Sequence, residues 1–160
     1  MSGPTVRPAR PADGPELLDL IDALADYEKL PRPDAAARER LLRDGFGPAP
    51  RFQLLIGERD GVPAGYALFF ETYSSFLARP TLYLEDLFVH PDHRKSGLGL
   101  ALFTAVAREA ARRECGRMEW AVLDWNQLAI DFYERLGASA MNEWHTFRLT
   151  GDALAAVAQR

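Results

Sequence analysis

Cysteine is nearly absent: Cys115 is the only one in 160 residues, so no disulfide can close within the chain. It follows Arg112-Arg113-Glu114 near the end of a predicted helix, the setting of a bystander thiol rather than a nucleophile. Long apolar runs are missing too. The longest fall far short of the roughly 18 residues that span a bilayer, and the first residues carry no basic-then-apolar leader. A cytoplasmic protein with no membrane partner is expected. Basic excess is lacking, with 19 Lys and Arg against 23 Asp and Glu and a net charge of −4, so no general affinity for nucleic acid is expected. His90 and His93 stand close together but find no third ligand at a suitable spacing, and no metal is expected. Repeats and low-complexity linkers do not occur, and a chain of this length with 48% hydrophobic residues is sized for a single domain over residues 1–160.

What is present reads as an α/β chain. Residues 6–9 make a short strand, and Pro11 to Pro15 turn into a helix with Asp13 as its cap; Leu17, Leu18, Leu20, Ile21, Leu24 and Tyr27 recur at helical spacing, ending near Lys29 before Pro31. Asp34 caps a second helix through Arg43 that Gly45 is placed to end. Residues 51–58, the Asp60-Gly61 hairpin signal, residues 62–73 and residues 81–89 form an antiparallel meander. A helix follows from about Gly97 to Glu114, then a strand over residues 117–123, a helix over residues 126–136 closed by Gly137, a strand pair around Trp144 and Phe147, and a small helix over residues 151–159. The order is β-α-α-β-β-β-α-β-α-β-β, a mixed, mostly antiparallel sheet flanked by helices.

Residues 83–102 organise this chain. Here a strand, Tyr83-Leu84-Glu85-Asp86-Leu87-Phe88-Val89, runs through a His90-Pro91 turn into Arg94-Lys95-Ser96-Gly97-Leu98-Gly99-Leu100 and a helix. A helix N-terminus exposes unpaired N–H groups and a positive dipole end, and the two glycines let an anion approach the backbone. The dinucleotide-binding fingerprint is excluded by Leu102 at its third glycine and by the antiparallel meander before it, and a P-loop would need Gly-Lys-Ser/Thr. Arg-x-x-Gly-x-Gly at residues 94–99 instead suits a pyrophosphate enclosed by amides.

These residues resemble the pyrophosphate loop of the GNAT superfamily of N-acetyltransferases. A second signature is similar as well: Trp125-Asn126, Ile130, Phe132-Tyr133 and Leu136-Gly137-Ala138. Tyr83-Leu84-Glu85-Asp86, Asp44 to Gly47, Ala25 to Glu28 and Asp131 to Ser139 narrow the resemblance to the spermidine/spermine (diamine) and thialysine acetyltransferase branch; the sequence departs from it after Ser139 and over residues 72–80.

The resemblance implies a GNAT fold, acetyl-CoA as co-substrate, a small primary amine as acceptor (a polyamine, diamine or lysine-like amine) and a homodimer. It implies that the backbone of Leu87, Phe88 and Val89 pairs with the pantetheine arm. Arg94, Lys95, Ser96, Gly97, Leu98, Gly99 and Leu100 would hold the pyrophosphate, with Asn126 on the far side. Tyr133 would contact the cofactor at the thioester sulfur and donate a proton to the leaving thiolate. Glu85 would be the base, because freeing an ammonium of pKa about 10.4 at pH 7 costs about 4 to 5 kcal/mol. Tyr27, Glu28, Glu85, Glu119, Trp120, Ala121, Glu143 and Trp144 would line the amine pocket, the last two from either copy of a dimer. Read from the residues alone, Glu28 also fits a solvated helix end, Tyr133 an aromatic filling core, and Asp86, by strand alternation, the face opposite Glu85. Two alternatives stay open: a protein-lysine or amino-acid acetyltransferase, and an acyl-CoA-binding regulatory module without catalysis.

Overall fold

The structure is a computed structural model that describes residues 3–160. They fall into two compact units, residues 3–121 and 122–160. In the first, β1 (Thr5–Pro8), α1 (Gly14–Tyr27), α2 (Ala35–Phe46), β2 (Gln53–Arg59), β3 (Val62–Ser74), β4 (Arg79–Val89), α3 (Leu98–Arg112) and β5 (Arg117–Glu119) follow one another. The strands lie in chain order in one sheet, antiparallel from β1 to β4, with β5 parallel to β4 across the α3 crossover.

Two apolar layers sandwich the sheet. Leu98, Leu102, Val106 and Ala110, one stripe of α3, pack on Ala67, Phe69, Leu82 and Leu84. Leu17, Leu20 and Ile21 of α1 pack on Leu54, Ile56, Tyr66, Leu68 and Phe88 from the other side. Asp60 and Gly61, both at positive φ, make the β2–β3 hairpin turn. The side chain of Asp34 accepts from the Ala37 N–H and caps α2, as its sequence predicts.

Local expectations fail where tertiary contact takes over. Gly45 does not end α2, which runs on to Phe46; a Cβ at Gly45 would sit 2.8 Å from the Phe52 ring, so the glycine serves close packing against the entry to β2. Asp13 precedes α1 but gives no side-chain cap, because both its oxygens accept from Arg7 at 2.8 Å.

The second unit holds α4 (Gln127–Arg135) and α5 (Gly151–Ala158). Asn126 caps α4 through the Ala129 N–H, and Gly137 adopts φ +94° just past its end. The expected strand pair around Trp144 and Phe147 does not form: residues 138–150 contain no strand. Met141, Trp144 and Phe147 recur every third residue, so no one face of a strand gathers them, and the Trp144 and Phe147 side chains are 74% and 94% exposed. β5 likewise stops at Glu119 rather than Leu123. The element order is thus as expected through α4, without the two closing strands among the described residues.

Candidate active site

Beyond β4 the chain makes one tight turn at Pro91–His93 and reaches α3 through a loop with two left-handed residues, Lys95 at φ +59° and Gly97 at φ +81°. Such alternation turns successive N–H groups to one side. Gly97 is the N-cap of α3 and has no side chain to cover the first-turn N–H groups. A Cβ there would meet nothing within 4 Å, so it is the backbone conformation that asks for glycine. The Ser96 hydroxyl donates to the His93 carbonyl at 2.6 Å and accepts from the Leu98 N–H at 3.4 Å, stiffening the loop from within. A basic, preorganised N-terminus whose N-cap residue carries no side chain fits a pyrophosphate. Arg59, from the end of β2, donates to the Ser96 carbonyl at 3.5 Å and adds a cation that motif reading misses. Arg94 turns the other way: its Nε donates to the Val89 carbonyl, and its guanidinium lies over the rings of Tyr27 and Phe88. His90 accepts from the Asp92 N–H through Nδ1, and no group of three or more metal-ligating side chains occurs among the described residues.

The β4–β5 ladder runs only from Thr81↔Arg117 to Tyr83↔Glu119. Past it, Leu87, Phe88 and Val89 keep their partners Ala67, Tyr66 and Gly65 on β3 while their other edge has left β5 behind. An open strand edge can pair with an extended amide-bearing chain.

Between these two stretches lies a β-bulge. Leu68 pairs with Asp86 and Phe69 with Leu84, which leaves Glu85 outside the ladder. The parity of β4 changes there: Leu82 and Leu84 pack on the α3 layer, whereas two residues past the bulge Phe88 packs on the α1 layer. Asp86 therefore does not lie on the face opposite Glu85, contrary to simple alternation. Its Oδ2 accepts from the hydroxyl of Tyr66, a member of the α1 layer, at 2.9 Å.

Three carboxylates converge at this point. Burial pushes the Asp86 carboxyl up to about 6; the Tyr66 hydrogen bond works against this, and the charges of Glu85 and Glu28 add to it. Burial and then Glu85 raise Glu28, at the C-terminal cap of α1. Burial also raises the Tyr83 phenol, with Glu85 and Glu119 next, so Glu119 belongs to the same field. None of Glu28, Glu85, Asp86 and Glu119 takes part in an ion pair among the described residues of this chain. Tyr27 stands beside them, its ring 6.5 Å from that of Phe88. Trp120 points elsewhere: its ring meets Phe103 of α3 edge-on at 5.2 Å, in the other layer, and Ala121 follows it past the end of β5. Sequence reading singled out Glu28, Glu85 and Glu119 but gave the Tyr66 and Tyr83 hydroxyls no part here, and it placed Asp86 on the face opposite Glu85.

In the second unit, Tyr133 lies in α4 with its ring 5.3 Å from that of Phe132, and burial pushes its phenol up to about 12, so it holds its proton at neutral pH. Asn126 has its amide oxygen on the α4 N-terminus. Glu143 and Trp144 are exposed.

The Acetyltransferase (GNAT) family profile matches residues 17–138. Thialysine N-epsilon-acetyltransferase of Bos taurus is 38% identical over 93% of this chain and 94% of that protein. Spermidine/spermine N(1)-acetyltransferase-like protein 1 of Homo sapiens is 33% identical over 93% of this chain but 23% of its own length. Among solved structures, an integron cassette protein from V. cholerae superposes with a TM-score of 0.82 at 22% identity, over the whole of both chains, and supports the fold alone.

Proposed function

The chain belongs to the GNAT acetyltransferase family, and from that premise we propose that it moves an acetyl group from acetyl-CoA directly to a primary amine of a small cationic molecule. The observation that carries the acceptor class is the convergence of Glu28, Glu85 and Asp86, with Glu119 across Tyr83 from Glu85, none with an ion-pair partner among the described residues, beside the open edge of β4. Such a group attracts a cation and repels an anionic acceptor. Thialysine, the substrate in the name of the bovine relative, is a lysine-like amine of this kind.

Acetyl-CoA supplies an activated acyl carbon and a thiolate leaving group. The N-terminus of α3 with Lys95 to Leu100 would bind the pyrophosphate, and the backbone of Leu87 to Val89 the pantetheine arm. An acidic pocket alone stabilises the ammonium form, so a base has to take its proton before nitrogen attacks. Glu85 takes this part, directly or through water: set outside the ladder by the bulge, it is exposed to the acceptor. The amine nitrogen then bonds to the acyl carbon, the carbon–sulfur bond breaks, Tyr133 gives its phenolic proton to the departing sulfur, and the second proton that nitrogen sheds on becoming an amide passes to water. A phenol held at about 12 is protonated before the step and regains its proton from water afterwards. Residues 1–160 act in this scheme as one acetyltransferase domain, working as a homodimer in the cytoplasm, with Glu143 and Trp144 reaching the acceptor.

A coenzyme A release assay over a panel of thialysine, lysine, ornithine, spermidine and an acidic amino acid tests the reading. Turnover is expected with the cationic amines, and Tyr133→Phe should lower kcat at least tenfold while leaving coenzyme A affinity unchanged. No turnover with any amine, or a trapped acetylated side chain, would overturn it.

A further inference from the structure

Tyr66 is 0% exposed, in the middle of the sheet, among Leu17, Ile56 and Phe88. A phenylalanine would fill nearly the same space without burying a hydroxyl. A buried hydroxyl is costly unless bonded, and the bond this one makes is to a carboxylate, Asp86 Oδ2, at 2.9 Å. The pair joins β3 to β4 at the bulge that turns Asp86 and the exposed Glu85 out of simple alternation. A phenol donating to a carboxylate favours its ionised form and fixes where it points.

Resting on the amine acetyltransferase reading, we propose that Tyr66 is a positioning residue of the acceptor pocket: it fixes the Asp86 carboxylate beside Glu28 and Glu85, and thereby sets the lower pH limit for uptake of a cationic acceptor.

The charged groups around Asp86 fit this role. Glu85 on β4 itself and Glu28 from the end of α1 both repel its negative charge. Arg94, from the loop after β4, sits farther along the same face over Tyr27 and Phe88. Among the described residues, Tyr66 on β3 donates the hydrogen bond that offsets the two acids at Asp86. With it, the Asp86 carboxyl is held at about 6 and is ionised at neutral pH; without it, protonation of Asp86 persists to higher pH.

The test measures kcat and KM for the best amine of the panel between pH 5 and 9, at saturating acetyl-CoA, in wild type, Tyr66→Phe and Asp86→Asn. In Tyr66→Phe the acidic limb of kcat/KM should move up by about one pH unit, through a higher amine KM below pH 7 with kcat at saturation retained. Asp86→Asn keeps a hydrogen-bond acceptor of the same shape and should lose that limb. Infrared difference spectra of isotope-labelled carboxyl groups follow the Asp86 titration without any substrate and should show the same upward move in Tyr66→Phe. An Asp86 titration that Tyr66→Phe does not move overturns the role of Tyr66 alone. Should Tyr66→Phe not fold, an acidic limb that survives in Asp86→Asn overturns the proposal, and its loss supports it. Absence of turnover with every amine overturns the acceptor reading, and the uptake role with it.

Discussion

The guanidinium of Arg94 lies over the ring of Tyr27, 4.7 Å from its centroid, while its Nε donates to the Val89 carbonyl. One side chain thus ties the start of the anion loop to the end of β4 and to the end of α1. The arginine of the Arg-x-x-Gly-x-Gly motif braces the loop, and on the proposed reading Lys95, Arg59 and the α3 amides would supply the field around the pyrophosphate. Removing the ring leaves the brace without its seat. Tyr27→Leu should weaken coenzyme A binding about fivefold, the worth of a cation–π contact of about 1 kcal/mol, while Tyr27→Phe binds as wild type does. Calorimetry without amine present checks this, and unchanged affinity in the leucine variant would remove Tyr27 from loop support.

Gly65 faces Val89 across the β3–β4 ladder, and a Cβ on it would stand 2.6 Å from the Phe88 carbonyl oxygen. Backbone cannot swing aside as a flexible side chain can. Gly65→Ala should therefore cost about 1–3 kcal/mol and displace the strand edge over residues 87–89. The proposed pantetheine contact would suffer with it. A lower melting temperature together with weaker coenzyme A binding is expected; a stable variant with normal binding would show that the strand edge tolerates the shift.

The core and the loop were legible because their signals are local. The 3.6-residue stripe of α3, the Asp60-Gly61 turn and Asp34 as a cap each act within one element, and each is found as read. Glycines proved harder. Gly45 looks like a stop signal in sequence, yet the contact that requires it comes from Phe52, seven residues on. The acid pair was half legible: Glu85 and Asp86 in an apolar strand signal a task, but period-2 alternation sends them to opposite faces unless a bulge intervenes. That bulge depends on the β3 partner strand and leaves no mark in β4 itself. Tyr66 was invisible for the same reason, an aromatic in a buried strand whose hydroxyl matters only once Asp86 is placed against it.

Asp86 should also be felt in stability, with a definite sign. Its folded value, about 6, lies above that of an exposed aspartate, 3.8, so the folded state holds the extra proton between those limits. Its contribution to stability is therefore full below about pH 4 and is lost as pH rises through 6. Asp86→Asn carries no such charge. Relative to wild type it should gain roughly 2–3 kcal/mol on going from pH 4 to pH 7.5, by denaturant titration at both values. A difference that does not change with pH would mean that the Asp86 charge is paid no penalty by burial.

The opposite sign holds at the other end of the sheet, where Arg7 binds Asp13 through both terminal nitrogens and Glu58 through Nε. The hydrogen bonds from Arg7 are the largest cause, with the Arg10 backbone N–H helping, by which the Asp13 carboxyl is held down at about 2 although burial opposes them. Stability from this pair is present above about pH 4 and is lost as pH falls through 2. Arg7→Met keeps the length of the side chain but strands the buried Asp13 carboxylate, whose side chain is 9% exposed. At pH 7 the substitution should cost about 2–3 kcal/mol, and near pH 2, where Asp13 takes up its proton, the gap to wild type should narrow. Thermal unfolding of the two proteins from pH 7 down to pH 2 measures that convergence; parallel curves would locate the effect in packing of the arginine stem rather than in its charge.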